Sequence, residues 1–120
     1  MKAAQLSGKP LGVMTPVDSP TQLFERLVDF FPSFLAEFQD EEIESYHQVV
    51  TKLTPVITGY LRGSPDRTIR EFCHVVNLMV DAGGDRENAI STCFLEHASQ
   101  VRVAKLIRPH LGETAKKELR

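Results

Sequence analysis

Along this chain the arrangement of apolar and polar positions changes character at Ser19. Before it, Gly8, Pro10, Gly12 and Pro16 interrupt every apolar run, and neither a helical nor an alternating period survives. After it, apolar residues recur at spacings of three and four almost to the last residue, and no stretch alternates with period two for long. The pattern predicts an irregular leader over residues 1–18, whose Leu11, Val13, Met14 and Val17 are available for packing, and a single all-α domain over residues 19–120. Short links between the periodic segments favour antiparallel neighbours. The expected architecture is an irregular bundle of four to five antiparallel helices.

Residue chemistry suggests where those helices begin and end. Ser19-Pro20-Thr21-Gln22 has the form of a capping box, in which the serine hydroxyl accepts the Gln22 amide hydrogen and the glutamine side chain reaches back. Pro20 occupies the first helical position, where a missing N–H removes nothing. Leu23, Phe24, Leu27, Val28 and Phe31 form the buried stripe, and Pro32 is placed to stop or kink the helix. Phe34, Leu35 and Phe38 carry the apolar surface on through a short turn or helix. Asp40 is the expected N-cap of a second helix with Ile43, Tyr46, Val50, Leu53, Ile57, Tyr60 and Leu61 on one side, a kink or break at Pro55 and an end at Gly63. Ser64-Pro65 repeats the cap-then-proline signal ahead of a third stripe, Ile69, Phe72, Cys73, Val76, Met79 and Val80, and Gly83-Gly84 supplies a left-handed exit. Asp85 is then the expected cap of a long fourth helix, with Glu87 in its first turn. Ala89, Ile90, Cys93, Phe94, His97, Val101, Ala104 and Ile107 should face inward over residues 86–108. Pro109 and Gly112 punctuate the chain, and residues 113–120 read as a last exposed turn or two.

Composition narrows the class without naming a function. At 120 residues the chain has the size of one domain, able to bury roughly two-thirds of the surface that it exposes when unfolded. Apolar residues at 42% and charged residues at 25% are ordinary globular values, which excludes a disordered, collagen-like or disulfide-scaffold chain. Cys73 and Cys93 sit in apolar segments, and no secretion signal or membrane span follows Lys2, so buried thiols and a cytoplasmic location are expected. The formal charge of −2 argues against a general polyanion binder. Its distribution is uneven, however. Residues 19–44 hold seven acidic side chains and one basic, whereas residues 101–120 hold six basic and two acidic.

The densest feature is Glu37, Asp40, Glu41, Glu42 and Glu44, five carboxylates in eight residues. Acids at the start of a helix interact favourably with its dipole, and a focused negative field also selects a basic protein partner and speeds its association. No Asp-x-Asp-x-Asp-Gly loop accompanies them to enclose calcium. Cys73, Cys93 and His97 form a second candidate set, since a cysteine and a histidine four apart on one helix share a face and a facing cysteine would approach a zinc tetrahedron. The ordinary reading makes both cysteines small core hydrophobes, and His74 a surface residue. Glu96 and His97 with Arg102, and Glu44 with His47, resemble acid–base machinery. They lack a nucleophile turn, a phosphate loop or a metalloprotease motif, so no catalytic residue and no cofactor are expected. Arg102, Lys105, Arg108, Lys116, Lys117 and Arg120 are able to contact phosphate, but no aromatic residue is interleaved with them, which disfavours nucleic acid.

The segments Phe31-Pro32-Ser33-Phe34-Leu35-Ala36-Glu37-Phe38 and Gly83-Gly84-Asp85-Arg86-Glu87-Asn88-Ala89-Ile90-Ser91-Thr92-Cys93-Phe94-Leu95-Glu96-His97 resemble stretches of a family of small, uncharacterised, all-helical bacterial proteins, over about residues 30–111. The resemblance carries no catalytic motif. By analogy in size and in lack of machinery, such proteins are similar to cytoplasmic immunity proteins that neutralise toxins. The expected function is therefore a non-enzymatic protein-binding module using the acidic face. The alternative is a small metal-binding regulator or enzyme centred on Cys73, Cys93 and His97, and self-association through apolar stripes is a third expectation.

Overall fold

A computed structural model describes residues 17–120. Leu11, Val13 and Met14 lie outside the described residues. Val17 and Asp18, placed by the sequence in the leader, are described. Val17 is buried in the core, and its carbonyl accepts a 2.7 Å hydrogen bond from the Arg86 guanidinium, so this end of the leader belongs to the packed body.

Among the described residues the fold is all-helical, built from seven α-helical segments and three 3-10 segments. This exceeds the four or five helices expected, because two predicted long runs are broken. Helix α1 (Pro20–Phe30) begins as anticipated, with the Gln22 amide donating to Ser19 Oγ at 3.1 Å. The Gln22 side chain reaches one residue further back than the usual box, accepting from the Asp18 amide at 2.7 Å. Pro32 ends α1 and opens a 3-10 segment, Pro32–Phe38.

The second predicted helix does not start at Asp40. Helix α2 (Tyr46–Leu53) is capped by Ser45, whose Oγ accepts from the Gln48 amide at 3.0 Å. Ser45-x-x-Gln48 repeats the Ser19–Gln22 arrangement, with the glutamine side chain again reaching one residue past the cap, to the Glu44 amide, so that two amides are satisfied where a lone aspartate would satisfy one. Asp40 instead sits in a left-handed turn at φ +37°, a conformation that aspartate tolerates better than most residues. Pro55 produces a full break, and helix α3 (Ile57–Arg62) follows.

Helix α4 (Asp66–Ala82) buries every residue of its predicted stripe and Val75 besides. Its N-cap is Pro65, and the Ser64 hydroxyl donates back to the Tyr60 carbonyl at 2.7 Å rather than capping α4. Gly83 at φ +71° and Gly84 at φ +58° make the turn into helix α5 (Gly84–Cys93), so Asp85 lies in the first turn beside Glu87 instead of at the cap.

The predicted run over 86–108 breaks after Cys93. A 3-10 turn (Leu95–His97) follows, then helix α6 (Ala104–Ile107) and another 3-10 turn (Arg108–His110). Carbonyls that lose helical partners here are taken up by distant donors. The Thr54 hydroxyl donates to the Cys93 carbonyl and the Thr58 hydroxyl to the Val101 carbonyl. Arg120 donates its amide to the Leu95 carbonyl at 2.9 Å and accepts from the Ser99 amide at 2.7 Å. Phe94 and Ile107 are buried as expected, but Leu95, Ala98 and Val103 join them, and His97, expected to face inward, is exposed. Helix α7 (Glu113–Glu118) is likewise not a free terminal turn: Leu111, Ala115 and Leu119 bury against the body, and α7 packs on α4. The Asn77 side chain holds this return, accepting from the Gly112 amide at 2.9 Å and donating to the His110 carbonyl at 3.3 Å.

Aromatic contacts run through the core. Phe72 on α4 meets Phe31 edge-on at 5.6 Å and Phe94 at 5.7 Å, tying the end of α1 to the end of α5. A second group, Phe24, Phe34 and Phe38, fastens the 3-10 segment to α1 with centroids 4.8–5.8 Å apart.

Candidate functional site

Two members of that second aromatic group, Phe24 and Phe38, also line a surface groove. The groove has a volume of about 540 Å³, with Phe24, Phe38, Leu35 and Ile43 among its apolar lining and Asp40 and Glu41 on its rim. Leu35, expected to extend the buried surface, is 60% exposed and is the one large hydrophobic side chain so exposed among the described residues. It is exposed because Phe34 and Phe38, four apart, take the inward side of the 3-10 segment, leaving Leu35 on the outside.

The five predicted carboxylates all have exposed positions here, but not at a helix N-terminus: Glu37 lies near the end of the 3-10 segment, and Asp40, Glu41, Glu42 and Glu44 on the turn and loop that follow. One side chain organises them. Gln48 accepts from the Glu44 amide at 2.7 Å through Oε1 and donates to the Glu42 carbonyl at 2.9 Å through Nε2, so both hydrogen-bonding ends of its amide clasp the loop. Lys52 fastens the other side, bonding Glu41 Oε1 at 2.8 Å while its ammonium lies 5.2 Å from the Phe38 ring centroid. Lys52 thus neutralises Glu41 and leaves Asp40, Glu42 and Glu44 without an ion pair among the described residues. Glu37 acts elsewhere. Burial first, and then the Glu37 charge, push the Tyr60 phenol up from its ordinary value; the Tyr60 ring stacks on Phe31 at 5.2 Å.

The structure does not bring the alternative set together. Cys73 is fully buried on α4, its thiol 3.8 Å from the Ile107 carbonyl, and burial pushes that thiol up to about 12. Cys93 is half-buried at the end of α5, with Sγ 3.6 Å from the Thr92 hydroxyl. His97 lies past the helix break, so its four-residue spacing from Cys93 no longer places the two on one helical face, and its Nδ1 meets Gln100 Oε1 at 2.9 Å. Among the described residues no three histidine, cysteine or acidic side chains are grouped to hold a metal ion. His47 bonds Asn88 Oδ1 at 2.7 Å, and His74 is exposed.

Sequence reasoning found the carboxylates and missed the groove beside them. The available signal was Ser45-x-x-Gln48, the same signature used at Ser19, which moves the helix start past the acids and frees the segment before it. A family model described as a domain of unknown function, DUF7674, matches residues 24–120. The chain belongs to this family. The DUF7674 match includes the groove, the acidic loop and all seven helices apart from the first turn of α1. No curated protein and no solved structure matches the chain. Within the described part of this DUF7674 chain no helix is long and apolar enough to cross a membrane.

Proposed function

We propose that this DUF7674 protein is a non-enzymatic protein-binding module. Its partner presents a basic segment with an apolar anchor, which seats in the Leu35 groove while its cations meet Asp40, Glu42 and Glu44. The observation that carries the reading is the exposed Leu35 in a groove that the unpaired Asp40 also lines, with the unpaired Glu42 and Glu44 following in the adjoining loop. Apolar area supplies affinity, and the flanking charge supplies orientation and rate. Because Gln48 and Lys52 hold the loop in place beforehand, little ordering entropy opposes docking. An immunity protein that occludes the basic surface of a toxin, in a bacterial cytoplasm, is the particular form of this reading that the chain's resemblance suggests. Neither self-association nor a Cys73, Cys93 and His97 centre has a comparable observation in its favour.

The test is a titration of isotope-labelled protein with a synthetic amphipathic helix bearing lysines on one face and leucines on the other. Amide shifts should concentrate on residues 33–44 and weaken in 0.5 M salt, roughly a Debye length of 4 Å. Leu35→Ser and the Glu41→Lys/Glu42→Lys pair should each reduce affinity several-fold. Shifts concentrated elsewhere, or binding unchanged by both variants, would overturn the reading.

A further inference from the structure

A larger cavity than the Leu35 groove lies elsewhere among the described residues. It is an open cleft of about 910 Å³ where α3, the start of α4 and the turn before α6 meet. Leu61, Ile69 and Leu106 give it an apolar side, and Arg62, Arg102 and Lys105 line it with positive charge; no carboxylate is among the lining residues. None of the three cations makes an ion pair among the described residues. The sole polar contact described for the three side chains is a long 3.4 Å bond from the Arg62 guanidinium to the Arg102 carbonyl. Arg67, Arg70, Arg86, Lys52 and Lys116 each have an acidic partner, whereas Arg108, Lys117 and Arg120 share with the cleft cations the lack of one among the described residues. What sets the cleft apart is that three such cations line one cavity.

The cleft wall is built, and it is built against a local preference. Arg102 has φ +62°, a left-handed conformation that glycine or asparagine adopts more cheaply than arginine. The turn is held in place by the Thr58 hydroxyl on the Val101 carbonyl, by Arg62 on the next carbonyl, and by the Val103 amide on the Ala98 carbonyl at 2.9 Å. An arginine kept where its backbone is unfavourable, with its guanidinium unpaired over a cavity, points to a use for the side chain.

We propose that this cleft binds a small organic oxyanion, a phosphate or carboxylate head on a short apolar body. The guanidinium groups of Arg62 and Arg102 suit a forked contact with oxyanion oxygens, and Lys105 adds a point charge. The apolar side receives the body of the ligand, in the usual division of a ligand pocket between apolar lining and a few convergent polar groups. This site uses none of the residues of the Leu35 groove and stands independently of the docking function proposed above.

The full chain is titrated with the anionic dye anilinonaphthalene sulfonate and, separately, with its uncharged analogue phenylnaphthylamine. The anionic dye should bind at one class of site and be displaced by hexyl phosphate but not by hexanol. Arg102→Gln/Lys105→Gln should weaken the anionic dye about tenfold or more, from the loss of charge-assisted contacts, and leave the uncharged dye unaffected. Arg102→Gly guards against a folding artefact: it removes the guanidinium while suiting the left-handed turn, so it should lose anionic dye and still melt no lower than the native chain. Undiminished dye affinity in both variants overturns the proposal. So does an equal loss of the charged and uncharged dyes, which would make the cleft a merely apolar one.

Discussion

Thr54 and Thr58 invite the most direct test of how this chain is shaped. Thr54 caps the end of α2 and Thr58 lies in the first turn of α3. The Thr54 hydroxyl is shared between the Val50 carbonyl of its own helix and the Cys93 carbonyl at the end of α5, and the Thr58 hydroxyl donates to the Val101 carbonyl. Thr→Val keeps the shape of each side chain and removes only the donor. A protein hydrogen bond contributes about 1 kcal/mol net, and an acceptor left unsatisfied away from water costs about 1–3 kcal/mol. Both contacts are partly buried, so each valine should destabilise by roughly 1–2 kcal/mol. The double variant should lose about 2–4 kcal/mol, since the two acceptors are different groups. For a domain of this size about 1 kcal/mol moves the melting temperature by roughly 4 °C, so a fall of about 8–16 °C is expected for the pair. Urea unfolding followed by far-ultraviolet circular dichroism measures the loss, and Thr58→Ser, which keeps the donor, should recover most of it. A double variant losing less than about 0.5 kcal/mol, within the range of a neutral surface change, would refute the claim that these hydroxyls stabilise the break by taking up its freed carbonyls.

Two further substitutions isolate single physical effects. Gly83 adopts φ +71° and ψ −172°, and no atom lies within 4 Å of where a β-carbon would stand, so Gly83→Ala tests backbone strain alone; a loss of about 1–3 kcal/mol in urea unfolding is expected. Burial holds the Cys73 thiol protonated up to about 12 against an ordinary value of 9.0. The unfolded chain sheds that proton first, so this contribution to stability is complete below pH 9.0 and is lost as pH rises towards about 12. Cys73→Ala should flatten that alkaline decline in melting temperature, and an unchanged decline would assign it to other groups.

What could be read in the sequence was local. Ser19 with Gln22, the α4 stripe and the Gly83-Gly84 exit each depend on residues within a few positions of one another, and all three stand in the fold. Helix α2 was equally legible, since Ser45 and Gln48 repeat the Ser19 signature. The run of acids at Asp40 to Glu44 drew the predicted boundary forward because carboxylates do favour helix starts. The end of α5 was not legible in the same way. Apolar spacing continues through Cys93, and the groups that secure the break, Thr54, Thr58 and Arg120, come from elsewhere in the sequence. Both candidate sites share that difficulty. The acids of the loop were visible at once, but the groove needs Phe24 from α1 beside Leu35 and Ile43; Arg102 and Lys105 were visible as a basic tail, but the cleft needs Arg62 from α3.

Helix α5 packs against both α2 and α4, and these are the most extensive helix–helix contacts in the chain. A ribosome delivers the amino-terminal portion first, so α1 and α2 emerge well before the surface that completes their burial has been made. Until α5 has cleared the exit tunnel, the face of α2 that packs on it remains uncovered, and synthesis passes through an interval in which holdase chaperones have something to grip.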